Sequence, residues 1–169
     1  CYVDSIPMFI VSGQAKRETT VWSTDLPLRQ LGDQEAQITD CVKTMTKYAK
    51  MVTEPENIRK EMEQAWFLML NGRPGPVWLD IPGDVASAIV ETGELAAFDG
   101  QSYQEENLAS FRQVNPIYKE RDTRFLLDKI AEAERPVILA GTAIRHANQQ
   151  KEFLDVVDKL GIPVLTAWN

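Results

Sequence analysis

Apolar positions along the chain fall into short unbroken runs separated by amphipathic stretches. The runs are Pro7-Met8-Phe9-Ile10-Val11, Val77-Trp78-Leu79-Asp80-Ile81, Pro136-Val137-Ile138-Leu139-Ala140 and Ile162-Pro163-Val164-Leu165. Runs of this length, bounded by glycine or proline, predict strands buried on both faces of a parallel sheet. A further strand is expected over residues 48–52, after a short helix over 36–42. Ile58, Met62, Ala65, Trp66 and Met69 recur at helical spacing. Thr53 with Glu56 fits a capping box, Pro55 suits a first turn and Gly72 a stop. Asp122 or Thr123 can cap a helix carrying Leu126, Leu127, Ile130 and Ala133, and Phe153, Val156, Val157 and Leu160 mark another that ends at Gly161. Strand and helix alternate, so the fold class is α/β with parallel sheets, and the last two strands with the helix between them form a Rossmann-like βαβ segment. Two stretches lack a period. Residues 14–35, with Pro27 and Gly32, read as a long ordered loop of the kind that tends to carry function. Residues 86–121 mix acidic, amide, glycine and isolated aromatic residues and read as an interdomain linker partly packed on the surface.

Composition narrows the classes. The 169 residues are 44% hydrophobic and 25% charged, which suits a globular protein and excludes a disordered chain, a collagen-like fibre or a disulfide-stapled miniprotein. The net charge of −7 argues against nucleic acid or an anionic membrane as the main partner. Small anionic ligands stay open, because backbone N–H groups can bind phosphate whatever the net charge. Cys1 and Cys41 are far apart and form no ligand set, and the single histidine, His146, sits in a polar stretch expected to start an exposed helix. No metal site is expected, and a Ser-His-Asp triad would rest on that one imidazole. No apolar run approaches the roughly 18 residues that span a bilayer, and no basic-then-apolar leader is visible. A cytoplasmic location is the expectation. The chain opens on Cys1 and closes at Trp168-Asn169 directly after a strand. Both ends are therefore expected to be cut, leaving an internal piece that is inert alone.

Several segments carry a resemblance. They are Asp4-Ser5-Ile6-Pro7, Ser12-Gly13-Gln14, Gly32-Asp33-Gln34-Glu35, Thr46-Lys47-Tyr48, Gly72-Arg73-Pro74-Gly75-Pro76-Val77 and Leu79-Asp80-Ile81-Pro82-Gly83-Asp84-Val85. In this order and at this spacing they resemble the thiamine diphosphate enzymes of the acetolactate synthase group. Arg135-Pro136-Val137 to Gly141, then Gly161-Ile162-Pro163-Val164, is similar to the opening of that family's central domain. The resemblance implies that residues 1–85 are the later part of a pyrimidine-binding domain, 86–121 a linker and 122–169 the start of the central domain. It implies thiamine diphosphate and Mg²⁺ as cofactors, with their main determinants outside this chain. It also implies a homodimer or homotetramer and a small 2-oxo acid substrate, decarboxylated and then joined to a second carbonyl compound. A related decarboxylase or lyase, or a non-catalytic α/β nucleotide-binding module, stays open beside that reading.

The resemblance also assigns candidate residues. Gln34 matches a glutamine near substrate and cofactor, where a neutral amide can donate to a carboxylate or oxyanion and accept from the aminopyrimidine; the bland alternative is a surface loop amide. Gln14, just past a strand's carboxyl end, can contact the cofactor or simply bond within the loop. Asp33 stands where these enzymes carry an aromatic residue, and a carboxylate there would disfavour an anionic acceptor. Lys16 and Arg17 replace a segment that often holds proline; they either face an anionic substrate or form an exposed loop pair. Arg73 reads as structural, set by the turn at Pro74 and Pro76. Asp84 is expected to cap the segment after its strand, and Asp80 has no evident partner. Gly141 and Arg145 could meet FAD or ADP, although residues 141–145 are not a G-x-G-x-x-G loop.

Overall fold

A computed structural model describes residues 1–112 and 116–166; Trp168 and Asn169, at the expected cut, lie outside them. The chain divides into two compact units, Cys1–Tyr103 and Gln104–Asn169.

In the first unit, β1 (Met8–Gln14), α1 (Ile38–Val42), β2 (Tyr48–Met51), α2 (Ile58–Leu70), β3 (Pro76–Pro82) and α3 (Gly83–Ala86) follow in order. The three strands make one parallel sheet in the order β1-β3-β2. β3 is central and buried along most of its length, as its continuous apolar run requires. Register places Ser12 of β1 and Met51 of β2 opposite Asp80. On one face of the sheet, Val77 and Leu79 join Val52, Ala65, Met69 and Val85 in a buried cluster, with Phe9, Ile58, Leu68 and Ile81 packed against it. On the other face lie Trp78 and Asp80, because successive strand residues alternate.

Helix α2 is rotated from the expected stripe. Ala65 and Met69 are buried, but Met62 and Trp66 face outward, and Glu61 lies inside at 4% exposure. Strand β2 makes this burial tolerable: the Tyr48 hydroxyl and the Lys50 ammonium each donate to the Glu61 carboxylate at 2.6 Å. A buried carboxylate is costly unless paired and hydrogen-bonded. Burial, and then the Glu61 bond, push the Tyr48 phenol up, so it stays a donor. No capping box forms. A 3-10 turn over Pro55–Asn57 leads into α2 without a side-chain cap, and the Thr53 carbonyl instead accepts from Arg17. At the far end Gly72 takes the left-handed conformation, φ +69°, as a residue past a helix end does.

The stretch 86–121 differs from its aperiodic reading, since α4 (Gly100–Arg112) and the start of α5 (Pro116–Glu132) fall in it. The Asp99 carboxylate accepts from the backbone N–H groups of Gln101 and Ser102 and from the Ser102 hydroxyl, and so starts α4. Just before it, the Phe98 N–H donates to Glu63 at 2.8 Å, and the Phe98 and Tyr103 rings pack on Phe67. Gly100 permits that approach, because a Cβ there would lie 2.9 Å from the Phe67 ring.

In the second unit, α5 begins ahead of the expected cap at Asp122 or Thr123. Then come β4 (Ile138–Ala140), α6 (Ala143–His146), α7 (Gln150–Leu160) and β5 (Val164–Thr166). β4 and β5 pair in parallel, Ile138 opposite Val164. Gly161 ends α7 at φ +60° as expected. His146 closes α6 and does not start a helix, because Thr142 already precedes its first turn. Among the described residues, no helix is long and apolar enough to cross a membrane.

Leu79→Ala, at a fully buried site, is expected to destabilise the first unit by about 2–5 kcal/mol. Urea unfolding measures it, and a loss below about 1 kcal/mol would contradict the core described here.

Candidate functional site

The carboxyl ends of β1 and β3 are tied by one buried carboxylate. Asp80, 1% exposed, accepts from the Ser12 hydroxyl at 2.6 Å on one oxygen and from the Gln14 amide at 2.8 Å on the other. Trp78 donates its indole N–H to the same Ser12 oxygen at 2.7 Å, leaving the Ser12 proton for Asp80. Asp80 thus has partners that the sequence could not show, supplied by the β1–β3 register. The Gln14 amide also donates to the Ala36 carbonyl at 2.7 Å, and its oxygen accepts from the Ala15 N–H at 3.0 Å. Both amide N–H bonds and the oxygen of Gln14 are therefore engaged in closing the base of the loop that follows.

That loop, residues 15–37, contains two short 3-10 turns, Arg17–Thr19 and Val21–Ser23, and two further carboxylates hold it. The Arg17 N–H donates to Asp84 at 3.0 Å and its Nε at 2.7 Å. These bonds hold the Asp84 carboxyl below its ordinary range. Arg17 is consequently a half-buried tether between the loop and α3, not an exposed member of a loop pair, and Asp84 serves Arg17 without capping a helix. Glu35 is the second holder. One of its oxygens accepts from the Val21 N–H at 2.7 Å, the other from those of Leu31 and Gly32 at 2.9 and 3.1 Å. Burial alone would raise the Glu35 carboxyl, but the three N–H groups outweigh it and the net shift is downward. Gly32 is buried against the opposite limb: a Cβ there would lie 2.5 Å from the Thr19 carbonyl oxygen.

The two residues between these clamps, Asp33 and Gln34, are exposed. Gln34 has φ +59°, a left-handed conformation that costs a non-glycine residue about 1–2 kcal/mol. Its side chain has no hydrogen-bond partner among the described residues and is free to meet a ligand. Asp33 and exposed Lys16 line one open hollow of about 540 Å³ with Thr19, Leu31 and Gly32. A second, of about 380 Å³, is lined by Arg17, Trp22, Met51, Thr53 and Asp84. The structure thus gathers Lys16, Arg17, Asp33 and Gln34 on one loop, with Gln14, the last residue of β1, at its foot. Gly141 and Arg145 belong to the other unit, where they line a hollow of about 510 Å³ at the carboxyl ends of β4 and β5, the place where open α/β sheets take ligands. Arg73 donates to the Ser5 hydroxyl and the Val3 carbonyl, which gives it a structural task. Among the described residues no group of three or more His, Cys, Asp or Glu could hold a metal ion.

Comparison with known proteins points the same way. Residues 123–169 match the model of the thiamine pyrophosphate enzyme central domain. Across 97% of its length the chain is 31% identical to the acetolactate synthase large subunit of Corynebacterium glutamicum. Across 98% it is 32% identical to the glyoxylate carboligase of Escherichia coli O157:H7. Over nearly its whole length, the chain is similar to thiamine diphosphate-dependent enzymes. It spans about a quarter of the length of these relatives, 24% and 25% respectively. The fold agrees with that of solved members. A putative thiamin diphosphate-dependent enzyme from Mycobacterium smegmatis superposes with a TM-score of 0.61 at 23% identity, over 99% of this chain and 28% of that one. Benzoylformate decarboxylase from Polynucleobacter necessarius gives 0.63 at 20%, over 98% and 28%.

Sequence reasoning missed Glu35 as an organiser of the loop. Its nearest signal was Gly32 three residues before it, read only as part of a long loop, which the structure packs tightly against Thr19. Because the folded Glu35 carboxyl is depressed, its contribution is present at neutral pH and is lost as pH falls through the folded value. Carbon-13 NMR titration of Glu35 is expected to give a midpoint below the ordinary 4.5. A midpoint at or above that value would contradict the three-bond clamp.

Proposed function

We propose that the protein carrying this chain decarboxylates a 2-oxo acid with thiamine diphosphate and joins the product to a second carbonyl compound. The observation that carries this reading is the similarity, along nearly all of this chain, to a quarter of an acetolactate synthase and of a glyoxylate carboligase, coupled to a loop that leaves Gln34 exposed. The cofactor supplies the electron sink for decarboxylation; the protein supplies orientation and electrostatics. Of the two candidate amides, Gln34 fits a contact with substrate or cofactor because its carboxamide is unengaged. Gln14 is committed to Asp80, Ala36 and Ala15 and supports the loop from below. Mg²⁺ and the diphosphate would be held by parts of the protein beyond these residues. The hollow at Gly141 and Arg145 supports an adenine nucleotide such as FAD as a further ligand of the second unit.

Asp33 bears on the acceptor. Its carboxylate stands exposed beside Gln34, so an incoming carboxylate meets a like charge. The acceptor that fits is a neutral carbonyl compound, an aldehyde in preference to a second 2-oxo acid.

Two measurements on the full-length protein with thiamine diphosphate and Mg²⁺ test this reading. Gln34→Ala is expected to lower carboligation while leaving cofactor affinity unchanged, and unchanged product formation would contradict the role. Asp33→Asn is expected to raise kcat/KM for a 2-oxo acid acceptor over an aldehyde by roughly tenfold, the effect of about 1.4 kcal/mol of like-charge repulsion. An unchanged acceptor ratio would remove Asp33 from the specificity argument.

A further inference from the structure

We propose that Glu35 is a positioning residue for carboligation, acting through Gln34 by fixing the backbone that carries it. This rests on the functional reading above.

The geometry is specific to a carboxylate. Glu35 takes three backbone N–H groups on its two oxygens, from Val21 on one limb of the loop and from Leu31 and Gly32 on the other. Gln37 adds a longer contact at 3.4 Å to the oxygen that faces Val21. Only an ionised acid offers two acceptor oxygens and no competing donor; an amide of equal size would turn an NH₂ toward one of these N–H groups. The limbs are also pressed together at Gly32, where no side chain fits against Thr19. Gln34 sits immediately before Glu35 and two residues after Gly32, so both of its flanks are pinned while its own φ is +59°. An unclamped loop would let Gln34 relax out of this disfavoured backbone region. The clamp therefore selects one presentation of the exposed carboxamide. The downward shift of the Glu35 carboxyl keeps the clamp charged at neutral pH.

A positioning role predicts non-additivity. In the full-length protein with thiamine diphosphate and Mg²⁺, E35Q is expected to lower kcat for carboligation on the order of tenfold, as a small misplacement of a reacting contact does. Cofactor affinity should not change. Because Glu35 acts through Gln34, the double variant E35Q/Q34A should be no slower than Q34A alone. A merely structural role would instead give additive losses and weaker cofactor binding. Gly32→Ala moves the same peptide while leaving the carboxylate, serves as the second variant if E35Q does not fold, and should show the same non-additivity. Full carboligation in a folded E35Q or G32A, or losses that add to that of Q34A, would overturn this role alone. Absence of any 2-oxo acid turnover by the unaltered protein would overturn the functional reading and this role with it.

Discussion

A carboxylate buried at the carboxyl end of a parallel sheet must be met by donors, and Asp80 draws its donors from the strand beside it and from the residue that begins the long loop. The bonds from Ser12 and Gln14 offset a desolvation cost that an unpaired carboxylate could not survive. They also fix the β1–β3 register at the place where the chain leaves the sheet. Through the second N–H of its amide, Gln14 carries the same constraint to Ala36 at the loop's far end. One buried acid thus joins the strand ends to both feet of the loop.

Everything above those feet depends on repeating the device. Asp84 gathers the backbone and side chain of Arg17, and Glu35 gathers three N–H groups from two limbs. A loop of this length has no ladder to satisfy its backbone, so side-chain acceptors take that part. The acidic residues that make the net charge negative are in these three cases structural ties. Asp33 has no such duty and stands exposed beside Gln34, which is the ground for proposing that it bears on the acceptor.

How much of this was legible in the sequence follows from the range of each interaction. The strands β1, β3, β4 and β5 could be read from local apolar runs, but of these β3 alone is buried along most of its length, against the expectation of burial on both faces for all. The stops at Gly72 and Gly161 could be read from the need for a left-handed residue. The resemblance could be read because Gly72 to Val77 and Leu79 to Val85 are contiguous local motifs. Helix α4 was hidden by its sparse apolar positions, although Asp99 with Ser102 was a local cap signal. The face of α2 was misjudged because Glu61 is buried only by virtue of Tyr48 and Lys50 on β2. The Asp80 contacts link residues 66 and 68 positions apart, and the Glu35 contact with Val21 spans 14; no periodicity encodes a register between strands or the closing of a loop.

The central claim is that the loop over residues 15–37 is a built structure held by carboxylates, and backbone hydrogen exchange tests it most directly. The amides of Val21, Leu31 and Gly32 are expected to be protected to a degree comparable with that of Val52, which is bonded to the Asp80 carbonyl in the sheet. Exchange of those three amides as fast as that of the exposed Gln34 amide would contradict it.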